Sequence, residues 1–168
     1  MDFSPVDHSM PQASLPSVAC VVRASRHYRI PVPVTLALMK TEGGKPGSFV
    51  RNRNGTYDMG VMQVNTLWIP TYSKRFGITQ RAFVTRAVLD GCFSVFLGLD
   101  ILRAQIDREG SLEKGVAAYH SRTPSKAARY MQRFNEQLDQ VSRGHYPRMA
   151  GVSALAQANN TRAAGAYR

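Results

Sequence analysis

One carboxylate in this chain, Glu42, has sequence neighbours that could give it a chemical role. It comes just after the apolar run PVTLALMK at residues 33–40 and just before a loop rich in glycine and amide residues. Burial raises the pKa of a carboxyl group because an apolar environment disfavours the charged form, and a carboxyl group still protonated near neutral pH can act as a general acid. The alternative is a salt bridge to one of the chain's many arginines.

Other residues that commonly catalyse reactions or bind metals are sparse. Asp58 is the only other acidic residue between Glu42 and Asn65, and its place beside a hairpin predicts a hydrogen bond that stabilises a turn. The four histidines, at positions 8, 27, 120 and 145, lack the spacing of zinc ligands. We therefore expect neither a metal nor a cofactor.

The elements that must position Glu42 are predicted to be helices. An apolar stripe over residues 15–29 predicts a first helix, and Pro33 suits the first turn of a second, which Gly43 and Gly44 end. Asn54-Gly55 predicts the turn of a small β-hairpin. The class is therefore mainly α, a single domain with one small hairpin or loop.

Later helices are predicted from their capping residues. The caps are Thr79 for residues 80–87, Asp90 for a long central helix ending at Gly110, Ser111 for LEKGVAAYHS and Thr123 for a helix to about Arg143. TLWIPTYSKRF predicts a short helix interrupted at Pro70, and Gly98 predicts close packing of the central helix against another helix. We assign residues 1–14 to a flexible arm, 15–143 to the domain and 144–168 to a basic, disordered tail.

Composition limits the classes of function. The 168 residues suit one domain, and 43% hydrophobic residues suffice for a core. A net charge of +11 favours anionic partners such as nucleic acid, lipid headgroups or a cell-wall polymer, although it also fits a merely basic surface. The bases are scattered without a nucleic-acid motif, and no apolar stretch approaches the ~18 residues of a membrane span.

Three ordered segments resemble the lytic transglycosylases of the soluble-transglycosylase type, glycoside hydrolase family 23, which are similar to goose-type lysozyme. ALMKTEGGKPG resembles the helix ending in that family's catalytic glutamate, YDMGVMQVN its Gly-x-Met-Gln-hydrophobic-Asn block, and VAAYHS its Ala-Tyr-Asn block. WIPTYSKRFGIT is similar to a segment of small transglycosylases attached to secretion, conjugation and pilus systems. The resemblance covers roughly residues 15–143.

The resemblance implies a lysozyme-like fold, a cleft beside the hairpin and a role for each matching residue. Glu42 is the single catalytic acid, and the substrate-binding residues are Met62, Gln63, Asn65, Tyr119 and His120. Gln63 offers an amide to the sugar, and Tyr119 places its hydroxyl near Glu42. Three alternatives stay open: core packing for Met62, capping of the next turn for Asn65 and a helix contact for Tyr119.

The sequence departs from the family at two positions, which affects the expected contacts with substrate. Gly43 stands where the family usually has serine, and His120 where it usually has asparagine. The implied reaction is cleavage of the peptidoglycan MurNAc–GlcNAc bond with formation of 1,6-anhydroMurNAc, using the substrate's N-acetyl oxygen instead of a second carboxylate. The rival hypotheses are hydrolysis as in goose-type lysozyme, a weakly catalytic wall-binding scaffold, and a basic nucleic-acid binder, which is the least favoured.

The resemblance also implies a disulfide between Cys20 and Cys92, because the small secretion-associated transglycosylases have a similar pair. Otherwise these would be the buried free cysteines of a cytosolic protein. No signal peptide is visible, so a disulfide and an envelope or periplasmic location would require a signal removed earlier. The expected partners are peptidoglycan strands and components of a secretion, conjugation or pilus complex. We expect a monomer that neither spans a membrane nor binds nucleic acid.

Overall fold

The computed structural model describes residues 12–151, so the predictions for residues 1–11 and 152–168 lie outside the described range. Within it, a three-stranded antiparallel sheet accompanies seven helices: α1 (Val18–Tyr28), α2 (Val32–Glu42), α3 (Ile69–Phe76), α4 (Gln80–Leu89), α5 (Gly91–Glu109), α6 (Leu112–His120) and α7 (Pro124–Ser142). The predicted mainly helical fold class is confirmed. Each helix between residues 12 and 151 falls short of the length and hydrophobicity of a membrane-spanning segment.

Helix α2 carries Glu42 out of the core on its last turn. Residues 34–39 are all buried, so this helix is enclosed by the fold along most of its length, chiefly by α7. Pro33 lies in the first turn, where a missing N–H costs little. Gly43 ends the helix in the left-handed conformation at φ 63°, and its N–H donates to the Met39 carbonyl. The predicted start and end of this helix are therefore confirmed.

The two glycines after Glu42 are required by the backbone. Gly43 occupies a conformation that residues with side chains seldom adopt, which gives a structural reason for glycine where the family has serine. A Cβ on Gly44 would collide with the carbonyl oxygen of Gly60 and lie 2.7 Å from that of Val61. The end of α2 is thus packed directly against the backbone of the loop that follows the hairpin.

The predicted hairpin is confirmed, and a third strand extends it. β1 (Phe49–Arg51) pairs with β2 (Tyr57–Met59) around the turn at Asn54-Gly55, where Gly55 has φ 83°. β3 (Val64–Asn65) pairs with β2 on its other side. The sequence analysis missed this strand, which is only two residues long.

The central helix α5 organises the core, as predicted. Asp90 caps it by accepting from the N–H of Phe93, and ten of its residues are buried. Gly98 does allow a close approach, but the neighbour is a loop residue and not another helix: a Cβ there would lie 2.7 Å from the Met62 side chain. The fixed position of Met62 in the loop therefore depends on a glycine in α5.

Two predicted helix starts differ in detail from the structure. Pro70 does not interrupt a helix, because a 3-10 turn at Thr66–Trp68 leads directly into α3 with Pro70 in its first turn. Thr123 occupies the N-cap position of α7 but makes no capping hydrogen bond with its side chain. The caps at Thr79 and Ser111 are formed as predicted.

The segments on either side of the predicted domain both form hydrogen bonds with it. The N–H of Ser14 donates to the Leu89 carbonyl over 2.8 Å, and the N–H of Val18 donates to the Ala150 carbonyl over 3.1 Å. Met149 is buried. Residues 144–151, which the sequence analysis placed in the tail, therefore include contacts with the domain.

The predicted disulfide is present. Cys20 in α1 is bonded to Cys92 at the start of α5, with their Cα atoms 5.9 Å apart. The bridge joins positions 72 residues apart in the sequence, so in the unfolded chain it closes a long loop.

Replacing both cysteines, as Cys20→Ala with Cys92→Ala, should lower the free energy of unfolding by about 4 kcal/mol, because the unfolded chain regains the entropy of the open loop. Urea unfolding under oxidising conditions measures the loss. The wild-type protein in excess reductant serves as the control and should resemble the double variant. Equal urea midpoints for the oxidised wild type and the variant would contradict the stabilising role of the bridge.

Candidate active site

Glu42 lies on the wall of a polar cavity of about 580 Å³ between the end of α2, the sheet and the ends of α6 and α7. Four other predicted site residues share this wall: Gln63, Asn65, Tyr119 and His120. A second cavity, of about 430 Å³, lies on the other side of the α2 terminus and is more apolar. None of the described residues that line it carries a carboxylate, so the polar cavity is the candidate active site.

The Glu42 carboxyl group is held by a tyrosine and not by an arginine. The hydroxyl of Tyr130 in α7 donates to Glu42 Oε1 over 2.5 Å. Among the ion pairs that the structure shows within residues 12–151, none includes Glu42. The sequence allowed either a buried general acid or a salt bridge to an arginine, and the salt bridge is not formed with the described residues.

Burial raises the pKa of Glu42 from 4.5 to about 7. The largest opposing effect is the hydrogen bond from Tyr130, which favours the carboxylate, while the negative charge of Asp58 raises the pKa further and the guanidinium of Arg133 lowers it. Near neutral pH the acid and the carboxylate are both well populated. The same group can then donate a proton and take one back.

Tyr130 was not identified from the sequence. Its side chain is 1% exposed, and its ring stacks on that of His120 with centroids 4.6 Å apart and planes within 3°. Burial raises the pKa of the Tyr130 hydroxyl, so it remains a donor to Glu42. The apolar stripe of α7, with Phe134 one turn later, shows from sequence that Tyr130 faces inward, but not that α7 packs on α2.

Tyr119 lies on the cavity wall together with Glu42, and its hydroxyl is bonded to the loop. Its hydroxyl donates to the carbonyl oxygen of Met62 over 3.0 Å. Burial is the main reason that the pKa of Tyr119 is well above its ordinary value, and the nearby charge of Glu42 adds to the rise. Tyr119 therefore holds the loop in place, while the hydroxyl bonded to Glu42 belongs to Tyr130.

Met62 does not line the cavity. Its side chain is fully buried and packs against Gly98, which is the core-packing alternative from the sequence. Its backbone N–H is not free to donate to a ligand, because it donates to the buried hydroxyl of Ser94 over 3.2 Å. Met62 supports the cavity from behind through its backbone.

Gln63 turns its amide into the loop. Its Nε2 donates to the Gly60 carbonyl over 2.8 Å and to the Ser48 hydroxyl over 3.1 Å. The backbone is left-handed at Gln63, with φ 47°, a conformation unusual for a residue with a side chain. The amide nitrogen is thus committed within the protein, and the side-chain carbonyl oxygen is the group left to accept a hydrogen bond from a ligand.

Asn65 and Asp58 form a pair across β2 and β3. Asn65 Nδ2 donates to Asp58 Oδ1 over 2.8 Å, and Asn65 Oδ1 accepts from the N–H of Leu67 over 3.0 Å. Asn65 therefore caps the following turn, as one alternative held. Asp58 forms the predicted stabilising hydrogen bond while also lining the cavity.

His120 is held against the aromatic ring of Tyr130. Burial lowers the pKa of His120, and the positive charges of Arg133 and Lys126 lower it further, against the attraction of Asp58. The neutral imidazole can still donate or accept one hydrogen bond at each nitrogen. Its position between Tyr130 and the cavity suits a contact with a polar ligand.

Comparisons with known proteins give relatives over most of the chain. No family model matches. Invasion protein IagB of Salmonella typhimurium strain LT2 is 27% identical over 136 residues, covering 80% of this chain and 79% of that protein. Invasion protein IagB of Salmonella typhi is 28% identical over 120 residues, covering 71% and 72%. Protein IpgF of Shigella flexneri is 26% identical over 147 residues, covering 85% and 87%.

Glu42→Gln should change how stability depends on pH. The pKa of Glu42 is raised to about 7 in the folded state. The contribution of this shift to the free energy of unfolding is therefore fully present below the ordinary pKa of 4.5 and is lost as pH rises through about 7. Relative to the variant, the free energy of unfolding of the wild type should fall by on the order of 3 kcal/mol between about pH 4.5 and pH 8. Urea unfolding at several pH values measures the difference.

Glu113→Gln, an exposed replacement in the first turn of α6, is the matched control and should show no comparable trend. A difference between wild type and Glu42→Gln that stays constant from pH 4.5 to pH 8 would contradict the raised pKa.

Proposed function

We propose that this protein is a peptidoglycan lytic transglycosylase that cleaves the β-1,4 bond between MurNAc and GlcNAc and leaves a 1,6-anhydroMurNAc end. The observation that carries the proposal is a carboxyl group with a pKa of about 7, free of ion pairs with the described residues, on the wall of a polar cavity. The ordered sequence blocks around Glu42, Gln63 and Tyr119 support the same reaction.

In the first step, Glu42 acts as a general acid. The protonated carboxyl group donates its proton to the oxygen that links the two sugars, and the C1–O bond of MurNAc breaks. The N-acetyl oxygen of the same sugar stabilises the positive charge that develops at C1. Tyr130 keeps the ionised Glu42 in place, because its hydroxyl donates to the carboxylate that the step produces.

In the second step, Glu42 acts as a general base. The carboxylate takes the proton of the MurNAc 6-hydroxyl, whose oxygen attacks C1 and closes the anhydro ring. Both steps use one group whose pKa lies near neutral pH, so each protonation state is accessible. The fixed loop of Gly60 to Asn65 supplies positioning, which accounts for much of the rate in reactions of this kind.

The place of action that we propose is the cell envelope, at a secretion, conjugation or pilus apparatus. The Salmonella relatives are named invasion proteins, which suggests a role at a structure that crosses the bacterial surface. The Cys20–Cys92 disulfide suits an oxidising compartment such as the periplasm. A net charge of +11 suits attachment to an acidic, insoluble polymer.

A second candidate is hydrolysis of the same bond, as in goose-type lysozyme. It is favoured by Asp58, a second carboxylate on the wall of the same cavity. In that reaction Asp58 would activate a water molecule on the far side of the sugar, and the product would carry a reducing end. Against this candidate, Asp58 accepts a hydrogen bond from Asn65, which suits a role in stabilising the sheet.

Glu42→Gln should abolish release of anhydro-muropeptides from purified peptidoglycan, with a loss of at least about 100-fold, because the amide cannot donate the required proton. Asp58→Asn, which keeps the shape of the Asn65 pair, should retain the anhydro product within about tenfold of the wild type, since its charge affects Glu42 only indirectly. Mass spectrometry of the released fragments measures both amount and chemistry.

Anhydro ends that persist with Glu42→Gln would overturn the assignment of the acid. Reducing ends in the wild-type digest, together with equal inactivation by Asp58→Asn, would favour hydrolysis.

A further inference from the structure

A further, basic cavity, here called the basic extension, adjoins the candidate active site along α7. This extension, also about 580 Å³, is bordered by Lys126, Arg129 and Arg133, with His120 and Tyr130 beside them. His120, Lys126 and Arg133 line both cavities, so the two adjoin. Tyr130 connects them as well, because its hydroxyl binds Glu42 and its ring borders the extension.

The three cations of the extension form no ion pair with a carboxylate of the described residues. Among the ion pairs within residues 12–151, none includes Lys126, Arg129 or Arg133. Elsewhere in the same range five arginines are paired with acids: Arg75, Arg103, Arg108, Arg122 and Arg143. Unpaired cations concentrated beside a catalytic cavity form a site for an anion that the protein does not itself supply.

Few groups on the surrounding elements offset this charge. Among residues 12–151, Glu136 is the one carboxylate bordering the extension, and it accepts a weak hydrogen bond from Gln132 over 3.5 Å. From α6 the extension is faced by His120, whose lowered pKa keeps it neutral at pH 7. Arg133 lies over the Tyr130 ring at 5.7 Å, which steadies its guanidinium without neutralising it.

We propose that the basic extension binds the carboxylates of the acidic peptide that peptidoglycan carries on its muramic acid, so that the protein selects peptide-bearing strands. The proposal rests on the function proposed above. The peptide is attached to the sugar whose bond is broken, on the ring carbon two positions from the reacting one. In this proposal the peptide leaves the ring on the Tyr130 side of Glu42, where the extension begins.

The dimensions agree with a short peptide. Lys126 and Arg133 are seven positions apart on α7, a rise of about 10 Å at ~1.5 Å per residue. An extended peptide covers that distance in about three residues at ~3.3 Å each. Carboxylates placed along such a peptide can meet successive cations, and each exposed pair adds a modest amount of binding.

The test is equilibrium binding of the full-length chain to soluble glycan strands of matched length, with stem peptides intact or removed by an amidase. Lys126→Gln combined with Arg129→Gln removes two exposed cations that do not touch Glu42. Lys74→Gln combined with Arg81→Gln, on exposed positions of α3 and α4 outside these cavities, removes the same charge as a control. All measurements use one ionic strength, because exposed charges are screened by salt.

The wild type and the control should bind peptide-bearing strands roughly tenfold more tightly than stripped strands, and the Lys126/Arg129 variant should lose most of that preference. Equal loss in the control variant would show general charge attraction and overturn the proposal. Equal affinity of the wild type for peptide-bearing and stripped strands would also overturn the proposal. The same holds if the Lys126/Arg129 variant loses as much affinity for a DNA oligonucleotide of the same charge as for peptide-bearing strands. Binding needs no turnover, so a preference without anhydro products would refute the reaction and keep this inference.

Discussion

The hydrogen bond between Tyr130 and Glu42 joins two elements far apart in sequence at the point where the proposed chemistry occurs. Burial of Glu42 at the end of an enclosed helix raises its pKa, while the tyrosine hydroxyl opposes this by favouring the carboxylate. The balance leaves the pKa of Glu42 near 7, so the carboxyl group can be protonated or ionised at neutral pH. Without the hydroxyl, the carboxyl group would stay protonated to a higher pH and would return to its starting state less readily.

The surrounding structure holds this balance in place by close backbone contacts. Gly44 brings the end of α2 against the carbonyl of Gly60, and Gly98 lets Met62 lie flat on α5. Tyr119 then binds the carbonyl of Met62, so the loop is fixed from α5 and from α6. The Cys20–Cys92 bridge ties α5 to α1 and so adds a covalent link to the helices that support the loop.

The parts of the fold that depend on local sequence could be predicted. Caps such as Asp90 and Thr79, the glycine that ends α2 and the Asn54-Gly55 turn act through neighbouring residues, and all formed as expected. Local pattern also placed Glu42 at a helix end. The partners of these residues depend on packing between distant segments, so the sequence did not identify Tyr130 as the donor to Glu42. For the same reason the sequence left the place of Met62 open, and the structure places its side chain in the core.

The most direct test is a carbon-13 NMR titration of the Glu42 side-chain carboxyl in the full-length protein, assigned by comparison with Glu42→Gln. The account predicts a midpoint near pH 7 in the wild type, since the pKa of Glu42 is raised to about 7. It predicts a higher midpoint in Tyr130→Phe, which removes the donor that favours the carboxylate. A wild-type midpoint near the ordinary value of 4.5, or one unmoved by Tyr130→Phe, would contradict the account.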